Sequence, residues 1–401
     1  MIGQVLSVNI SSFPIYSFSY AIPYLVLGLL VTIIGWKWIF GKKKTPFPKK
    51  RLMLIMGLFV LFFGLRWYIF SDTARYSEIY ADVDTSLSLR ENVANQPFVD
   101  FGYMFIMLIA KHLGLGFHFF IFLNSLVDFS LMYVCIRRYS VNSPLTCLFF
   151  LAFQGIFIEL NLLRNIKAIL IFLLSLKYIE EKKLGKYLFC QVAAITLHMS
   201  SIIFIPIYWI LNRRWNFKVV LSISAFAVFV YLFASNLISD VTNSLLGGLL
   251  GGEGKMALLA MYSEDAQETL LSIGTLERLL FLILTLLVYR FELRETQGPS
   301  VMFANMYVIY FFLFAIFGFN FVFRDRIPLL FMGAYWLFAP IIIEKMRMRI
   351  PSLKLVLILL AFLKIYASTR TCTAYYETVL FHSTTLEERM QLDEMVANQG
   401  N

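Results

Sequence analysis

The sequence is poor in charged residues, and that shortage excludes the ordinary soluble classes of protein. Only 15% of its 401 residues are charged and 59% are hydrophobic, whereas soluble domains have about a quarter charged and about half apolar residues. The apolar residues are gathered in long runs that recur along the whole chain. We therefore expect an all-α polytopic membrane bundle forming a single domain over residues 1–401, and not two or three soluble domains.

Sequence signatures of several chemistries are also missing. There is no Walker A lysine, no CxxC pair, no HExxH and no GxSxG, which disfavours ATP hydrolysis, zinc hydrolysis and serine acyl chemistry. The four cysteines have no metal-ligand spacing, so we expect buried apolar thiols and neither a metal nor another cofactor. The net charge of +10 lies in short loops between apolar runs, which indicates membrane orientation and no nucleic-acid partner.

The apolar runs predict about twelve membrane segments in a GT-C-like helix bundle. They cover residues 20–40, 52–70, 116–136, 145–160, 166–181, 186–198, 200–212, 217–237, 271–290, 301–322, 328–344 and 352–367. The loops between them contain basic clusters: Lys42–Lys44 with Lys49–Arg51, Arg137–Arg138, Lys182–Lys186, Arg213–Lys218, Arg290–Arg294 and Lys345–Arg349. If all of these clusters face the cytoplasm, the outside is left with loops 71–115 and 238–270 and with the tail 368–401.

The N-terminus is expected outside, without a cleaved signal peptide, because its first charge is Lys37, after the first apolar run. The clusters at Lys186 and Arg213 both require the inside, so residues 186–212 are predicted to form a short re-entrant hairpin. Two helices of about 12 residues rise only about 18 Å each, less than a membrane span. Its turn then places His198 at the floor of a cavity. Residues 98–113 are likewise predicted as a short juxtamembrane helix.

A charged or polar side chain within a membrane segment costs free energy, so each one marks a candidate site. Arg164, with Asn165 and neighbouring polar residues, opens a predicted helix and would suit an anion; alternatively, it snorkels to lipid headgroups. His198 is a candidate catalytic base, the alternative being a neutral ring bonded across helices to Ser200 or Ser201.

Two outer segments add further candidates. Arg324 and Arg326 flank Asp325 before a proline and would grip a diphosphate, unless an Arg–Asp pair simply caps the next helix. Asp72 follows the second run, with Arg75 and Tyr76 close behind, and is a second candidate base or only a solvated helix cap. The glycine-rich loop 238–270 is predicted to be a mobile outer lid.

Together these residues resemble the EpsG family of Wzy-type polysaccharide polymerases. The motifs that carry the resemblance are Asn161–Ala168, Lys177–Tyr187, Ala193–Ser201 with Pro206, and Ser71–Tyr76. The last of these also resembles the early outer-loop acid of lipid-dependent GT-C glycosyltransferases. The similarity covers residues 60–215, with Arg324 and Arg326 a looser match. Asn165 stands where the family commonly has glutamine, a departure that argues against a direct role for this residue.

The resemblance implies a polymerase of O-antigen, capsule or exopolysaccharide. Such an enzyme transfers a glycan chain from undecaprenyl diphosphate to an incoming lipid-linked repeat unit, at the outer face of a bacterial inner membrane. Arg164, Arg324 and Arg326 would meet the diphosphate, assisted by Arg75, Asn165 and Tyr76, while His198 or Asp72 would accept the hydroxyl proton. Its expected partners are the lipid-linked oligosaccharide, membrane lipids, a chain-length regulator and a flippase.

Three other functions compete with the polymerase. An O-antigen-ligase-like or other lipid-dependent glycosyltransferase would share the donor and differ in the acceptor. A transporter or flippase predicts paired broken helices in both halves, and only one broken hairpin is evident in the sequence. A membrane acyltransferase using His198 would need a buried aspartate or asparagine beside it, and the neighbouring sequence supplies none.

Overall fold

The computed structural model describes residues 13–41, 45–97, 99–233, 272–317 and 326–399. Within these ranges the regular structure is entirely helical, with isolated β-bridges and no strand. The predicted lid 238–270 and the pair Arg324–Asp325 lie outside the described residues. The all-helical part of the sequence prediction is thus confirmed for the described chain.

The α-helices are numbered here in chain order. They are α1 Phe18–Phe40, α2 Lys49–Gly64, α3 Ser71–Asp82, α4 Leu89–Asn95, α5 Phe101–His112, α6 Phe117–Tyr139, α7 Ser143–Phe150, α8 Ile156–Asn161, α9 Leu163–Glu180, α10 Leu184–Leu197, α11 Ile207–Ile210, α12 Phe217–Phe233, α13 Ile273–Leu287, α14 Pro299–Phe317, α15 Gly333–Met346, α16 Leu353–Thr369 and α17 Leu386–Gln399. Short π-helical turns follow α7 and α13, and 3-10 turns cover Met199–Phe204, Pro328–Phe331 and Cys372–Ala374.

Two compact units make up the chain. Unit 1 comprises Met1–Lys177, Gly185–Ile202 and Leu355–Asn401, and unit 2 comprises Tyr178–Leu184 and Ile203–Lys354. In unit 1, α2 packs along α6 and α1 packs along α7, while in unit 2 α14 packs against both α12 and α15. The single domain over the whole chain stays a prediction.

Four helices of the described chain are long and apolar enough to cross a membrane. They are Phe18–Phe40, Phe117–Tyr139, Pro299–Phe317 and the kinked segment Ser143–Asn161, which joins α7 and α8. On α1 the exposed side chains Ile22, Val26, Leu29 and Ile33 recur every three or four residues, so they form one apolar stripe. A stripe of this kind on the outside of a bundle is the surface that lipid covers.

Each of the twelve predicted apolar runs overlaps at least one of these helices or turns, although the number of membrane crossings stays a prediction. The second predicted run, 52–70, is longer than the helix that the structure contains there, because α2 ends at Gly64. Beyond it the backbone N–H of Trp67 donates to the carbonyl of Glu377, and that of Phe70 donates to the carbonyl of Thr373. The C-terminal tail therefore satisfies backbone groups that a helix would have satisfied internally.

The segment predicted as a hairpin breaks where the sequence indicated. α10 has 14 residues and ends at Leu197, directly before His198, and a 3-10 turn follows. At 1.5 Å per residue, α10 is about 21 Å long, shorter than a membrane span. The re-entrant path itself stays a prediction. α5 is the short helix predicted over 98–113, with 12 residues.

The two ends of unit 1 differ in the segments and contacts that they contain. At the end where α2 begins and α6 finishes, Arg51 donates to the carbonyl of Ile34 at 3.1 Å and Arg137 donates to that of Phe47 at 3.3 Å. At the opposite end the N-terminal segment and the residues after α2 both meet the C-terminal tail, through bridges from Tyr16 to Thr371 and from Arg66 to Thr378. These three segments thus share one end, as the loop charges require. We call it the tail end and its opposite the basic end.

Candidate functional site

The tail end of unit 1 is organised around the junction between α8 and α9. The side-chain oxygen of Asn161, the last residue of α8, accepts a hydrogen bond from the backbone N–H of Asp72 at 3.0 Å. The hydroxyl of Thr73 donates to the carbonyl of Leu160 at 2.7 Å. These bonds dock the first turn of α3 onto the start of α9, which brings Tyr76 of α3 to Arg164 of α9.

Arg164 is held by two partners from different parts of the chain. Its Nε donates to the Tyr76 hydroxyl at 2.6 Å, and its Nη1 lies 2.5 Å from Oδ2 of Asp100. The side chains of Arg164 and Asp100 are each 16% exposed, so the pair is partly shielded from water but still reachable. Charge-assisted bonds of this length are strong and orient a guanidinium firmly.

Asp100 links Arg164 to His198. Its Oδ1 accepts a hydrogen bond from the backbone N–H of Met199 at 3.2 Å. Its Oδ2 lies 3.7 Å from Nδ1 of His198, a distance that suits an ion pair with a protonated ring and is too long for a hydrogen bond. Burial raises the pKa of Asp100, but the His198 ring, the Arg164 guanidinium and the Met199 N–H outweigh that effect and lower it overall. Asp100 is therefore a carboxylate at neutral pH.

Gly102 explains how Asp100 comes so close to His198. A Cβ built on Gly102 would lie 2.8 Å from the carbonyl oxygen of Thr196 and equally close to its hydroxyl. Real Cβ atoms do not approach so closely, so any larger residue would push α5 away from the end of α10. Because Asp100 precedes α5 and His198 follows α10, this close approach positions both side chains.

A second group of charges lies buried beneath the site. Nζ of Lys167 pairs with Oδ2 of Asp128 at 2.7 Å, and Ser125 donates to Oε1 of Glu159 at 2.9 Å. Arg66, only 1% exposed, donates to the carbonyl of Phe63. Several polar atoms of this group, including Oδ1 of Asp128, have no hydrogen-bond partner among the described residues. Unit 1 therefore has an ionic interior directly below Arg164.

The structure brings part of the predicted site together. Asp72, Tyr76, Arg164 and His198 all lie at the tail end of unit 1, where Asp72 is half-buried and His198 is buried. Arg75 lies on the exposed side of α3.

The other predicted site residues are Asn165, Arg326 and Arg324. Asn165 is buried, and its Nδ2 has no partner among the described residues. Arg326 belongs to unit 2 and is exposed, and Arg324 lies outside the described residues. The three-arginine grip on a diphosphate thus stays a prediction.

Sequence reasoning missed Asp100. It lies in the segment interpreted only as a juxtamembrane helix, and nothing local separates it from an ordinary helix N-cap, the position that it also occupies. Its presence corrects one argument, because an acidic side chain does accompany His198 in space. The argument that His198 lacks an acidic neighbour, used against a membrane acyltransferase, is therefore wrong.

Arg278 of unit 2 was also missed, although it lies inside the predicted apolar run 271–290. Its Nε donates to the Tyr310 hydroxyl at 2.9 Å, and its guanidinium carbon lies 4.1 Å from the centre of the Phe314 ring. The presence of a charged residue within an apolar run was the sequence feature that could have identified Arg278.

The C-terminal tail is tied down by a buried ion pair. Arg389 of α17 donates to Oε2 of Glu377 at 2.6 Å, and Ser383 also bonds that carboxylate. Further along α17, burial raises the pKa of Asp393 to about 7, with Arg389 opposing the rise and Asp72 adding to it. α17 thus packs against α3, the helix that carries Asp72 and Tyr76.

Comparison with known proteins decides the family. The EpsG family model matches residues 50–380, most of the chain. This chain belongs to the EpsG family. Members of the EpsG family are Wzy-type polysaccharide-polymerase-like membrane proteins, so the chain is a multi-pass membrane protein of this polymerase-like class. No curated protein and no solved structure matches it.

Proposed function

We propose that this EpsG-family protein is a polysaccharide polymerase. It transfers a glycan chain from undecaprenyl diphosphate to the non-reducing end of an incoming lipid-linked repeat unit. The observation that carries the proposal is the half-buried Arg164, oriented by Tyr76 and Asp100 and with His198 beside it. A fixed cation next to a titratable base is what departure of a diphosphate and attack by a hydroxyl require.

We place this site at the periplasmic face of a bacterial inner membrane. The support is the contrast between the ends of unit 1, since Arg51 and Arg137 lie at the basic end, and positive residues stay preferentially in the cytoplasm. The tail end, which carries Arg164, then faces the periplasm.

In this proposal Arg164 stabilises the leaving diphosphate. Bonds to Tyr76 and Asp100 orient its guanidinium before the substrate arrives, so little reorganisation is needed when negative charge develops on the phosphate oxygens. Arg324 and Arg326 are further candidates for binding a diphosphate. Undecaprenyl diphosphate departs as the bond between the anomeric carbon and the phosphate oxygen breaks.

His198 is proposed as the base. The acceptor hydroxyl attacks the anomeric carbon, and its proton passes to the ring, because histidine is the side chain that exchanges protons most readily near neutral pH. The Asp100 carboxylate, 3.7 Å away, would stabilise the imidazolium that forms, and the proton would then pass to solvent. Asp72, at the start of α3, remains the alternative base.

The test is reconstitution of the purified chain in vesicles with a lipid-linked repeat unit. A ladder of lengthening products is expected, whereas a single addition would indicate a ligase-like transferase and movement without covalent change would indicate a flippase. Arg164→Ala and Arg326→Ala should each abolish elongation without loss of membrane insertion. Near-normal polymer from both would contradict the role given to the arginines, and normal polymer from His198→Gln would leave His198 with a packing role.

A further inference from the structure

A cleft opens at the tail end of unit 1 beside the Arg164 site. Its volume is about 560 Å³. It is lined by α3 and the segment before it, by the end of α5, the start of α6 and the turn between them, and by the start of α17. The lining includes Tyr68, Ser77, Glu78, Lys111, Phe117 and Leu386. None of these residues belongs to the proposed catalytic group.

The cleft combines aromatic rings with charged and hydroxyl side chains. The rings of Tyr68 and Phe117 lie almost parallel, with an interplanar angle of 14°, and both are half-buried. Glu78 on α3 is exposed, and Lys111 is held in place because its Nζ donates to the carbonyl of Ala81 at 3.0 Å. Aromatic faces beside a few oriented polar groups suit a ligand with both C–H faces and many hydroxyls.

Two glycines keep the floor of the cleft open. A Cβ added to Gly114 or to Gly116 would meet no atom within 4 Å. Gly114 has φ of +68°, the left-handed conformation that turns the chain sharply from α5 into α6. The open space is therefore bounded by backbone here, and a large side chain at Gly116 would have room to extend into it.

The cleft continues from the Arg164 site along one helix. Tyr76, which bonds Arg164, lies one turn of α3 before Tyr80, which lines the cleft, and residues four apart share one face of a helix. One turn of helix advances about 5 Å, so a group held at Arg164 and a group held in the cleft are near enough to belong to one molecule.

We infer that this cleft binds the sugars of the lipid-linked substrate that lie next to the diphosphate held at Arg164. The inference rests on the proposed function and deepens it by assigning the glycan its own subsite. Sugar C–H faces stack on Tyr68 or Phe117, and hydroxyls bond Glu78, Ser77 and Lys111.

The test uses the polysaccharide made by cells that carry this chain, hydrolysed by mild acid to short oligosaccharides. Saturation-transfer NMR measures their binding to the full-length protein in lipid nanodiscs. Gly116→Trp, which fills the cleft, is expected to weaken binding at least about tenfold, and Glu78→Gln should weaken it less. Gly57→Trp is the matched control, because Gly57 is exposed on α2 and also has no atom within 4 Å of an added Cβ.

The outcomes separate the cleft from the polymerase. If Gly116→Trp and Glu78→Gln both bind oligosaccharide as tightly as the unchanged protein, the cleft is not a glycan site, whatever the elongation assay shows. If Gly116→Trp loses binding but no ladder is ever formed, the glycan site stands and the polymerase proposal fails. Arg164→Ala should lose elongation and keep oligosaccharide binding, and loss of both would contradict the separate subsite.

Discussion

The two ends of unit 1 use positive charge in opposite ways. At the basic end the arginines bond backbone carbonyls and lie over aromatic rings, as Arg51 does with Ile34 and Trp38. At the tail end two arginines pair with carboxylates: Arg164 pairs with Asp100, and Arg389 pairs with Glu377. Arg51 is exposed, whereas Arg389 is buried.

The difference shows why residue type alone does not identify a site. A solvated arginine contributes orientation in the membrane, which depends on how many positive charges a loop carries. A buried, paired arginine has a defined direction, and removing one partner leaves an uncompensated charge. The comparison therefore predicts large effects at the tail end and in the ionic interior, and small effects at the basic end.

The largest effect is expected in the buried ionic interior. Lys167→Met leaves Asp128 without its partner and should reduce the free energy of unfolding by about 3–5 kcal/mol. The double variant Lys167→Met with Asp128→Leu should recover most of this loss, because no charge is then left alone. Denaturation of the purified protein in detergent measures both. At the basic end, Arg51→Gln should change the free energy of unfolding by less than about 1 kcal/mol. Equal losses from Lys167→Met and Arg51→Gln would contradict the predicted difference between the ionic interior and the basic end.

The next largest difference between the two ends of unit 1 is expected in the rate of elongation. Arg164→Ala is expected to reduce the rate of elongation at least about 100-fold, since it removes a preorganised cation. Arg164→Lys keeps the charge but loses the planar fork that Tyr76 and Asp100 hold, so it should restore little activity. Arg137→Ala, at the basic end, should stay within about twofold. A full rescue by lysine would show that charge matters at this position and geometry does not.

A smaller loss is expected from Gly102→Ala. The added methyl group would lie 2.8 Å from the Thr196 carbonyl, so α5 must move and the bond from Met199 to Asp100 should lengthen. We expect elongation to fall about tenfold, an effect equal to roughly 1.4 kcal/mol. Gly185→Ala, near the other end of α10, is the control because its Cβ meets nothing within 4 Å. Indistinguishable rates from Gly102→Ala and Gly185→Ala would mean that the close approach does not position the site.

The most local effect concerns the pH dependence of the C-terminal helix. Asp393 has its pKa raised from 3.8 to about 7, first by burial and further by Asp72, while Arg389 opposes the rise. The folded protein thus holds this proton more tightly than the unfolded chain does. The resulting stabilisation is complete below pH 3.8 and is lost as pH rises to about 7.

Hydrogen exchange of α17 measures this dependence. Its amides should exchange more slowly, after correction for the intrinsic rate, at pH 5 than at pH 8. Asp393→Asn should remove most of that difference, and an unchanged difference in this variant would assign it to another group.

Much of the bundle followed from the sequence. The apolar runs predicted the positions of the helices, since long apolar segments have few alternatives to helix in a membrane. The break before His198 and the short helix α5 were also predicted correctly. The end of α2 was not, because residues 65–70 are still mostly apolar despite Arg66, and only the bonds to the distant tail satisfy their backbone groups outside a helix.

The sequence by itself determined the membrane class, the helix positions and the basic end, because these depend on local composition and on periodicity. It also indicated a group of site residues, namely Asp72, Tyr76, Arg164 and His198 together with Arg75, Asn165, Arg324 and Arg326. Only the tertiary structure revealed Asp100 as a neighbour of both Arg164 and His198, and the cleft beside them. The reason is physical: Asp100 and Arg164 are 64 residues apart. Asp100 comes near His198 through the approach of α5 to α10 at Gly102, and Tyr76 reaches Arg164 because α3 docks onto the start of α9. No local sequence pattern predicts a contact between residues so far apart in the chain.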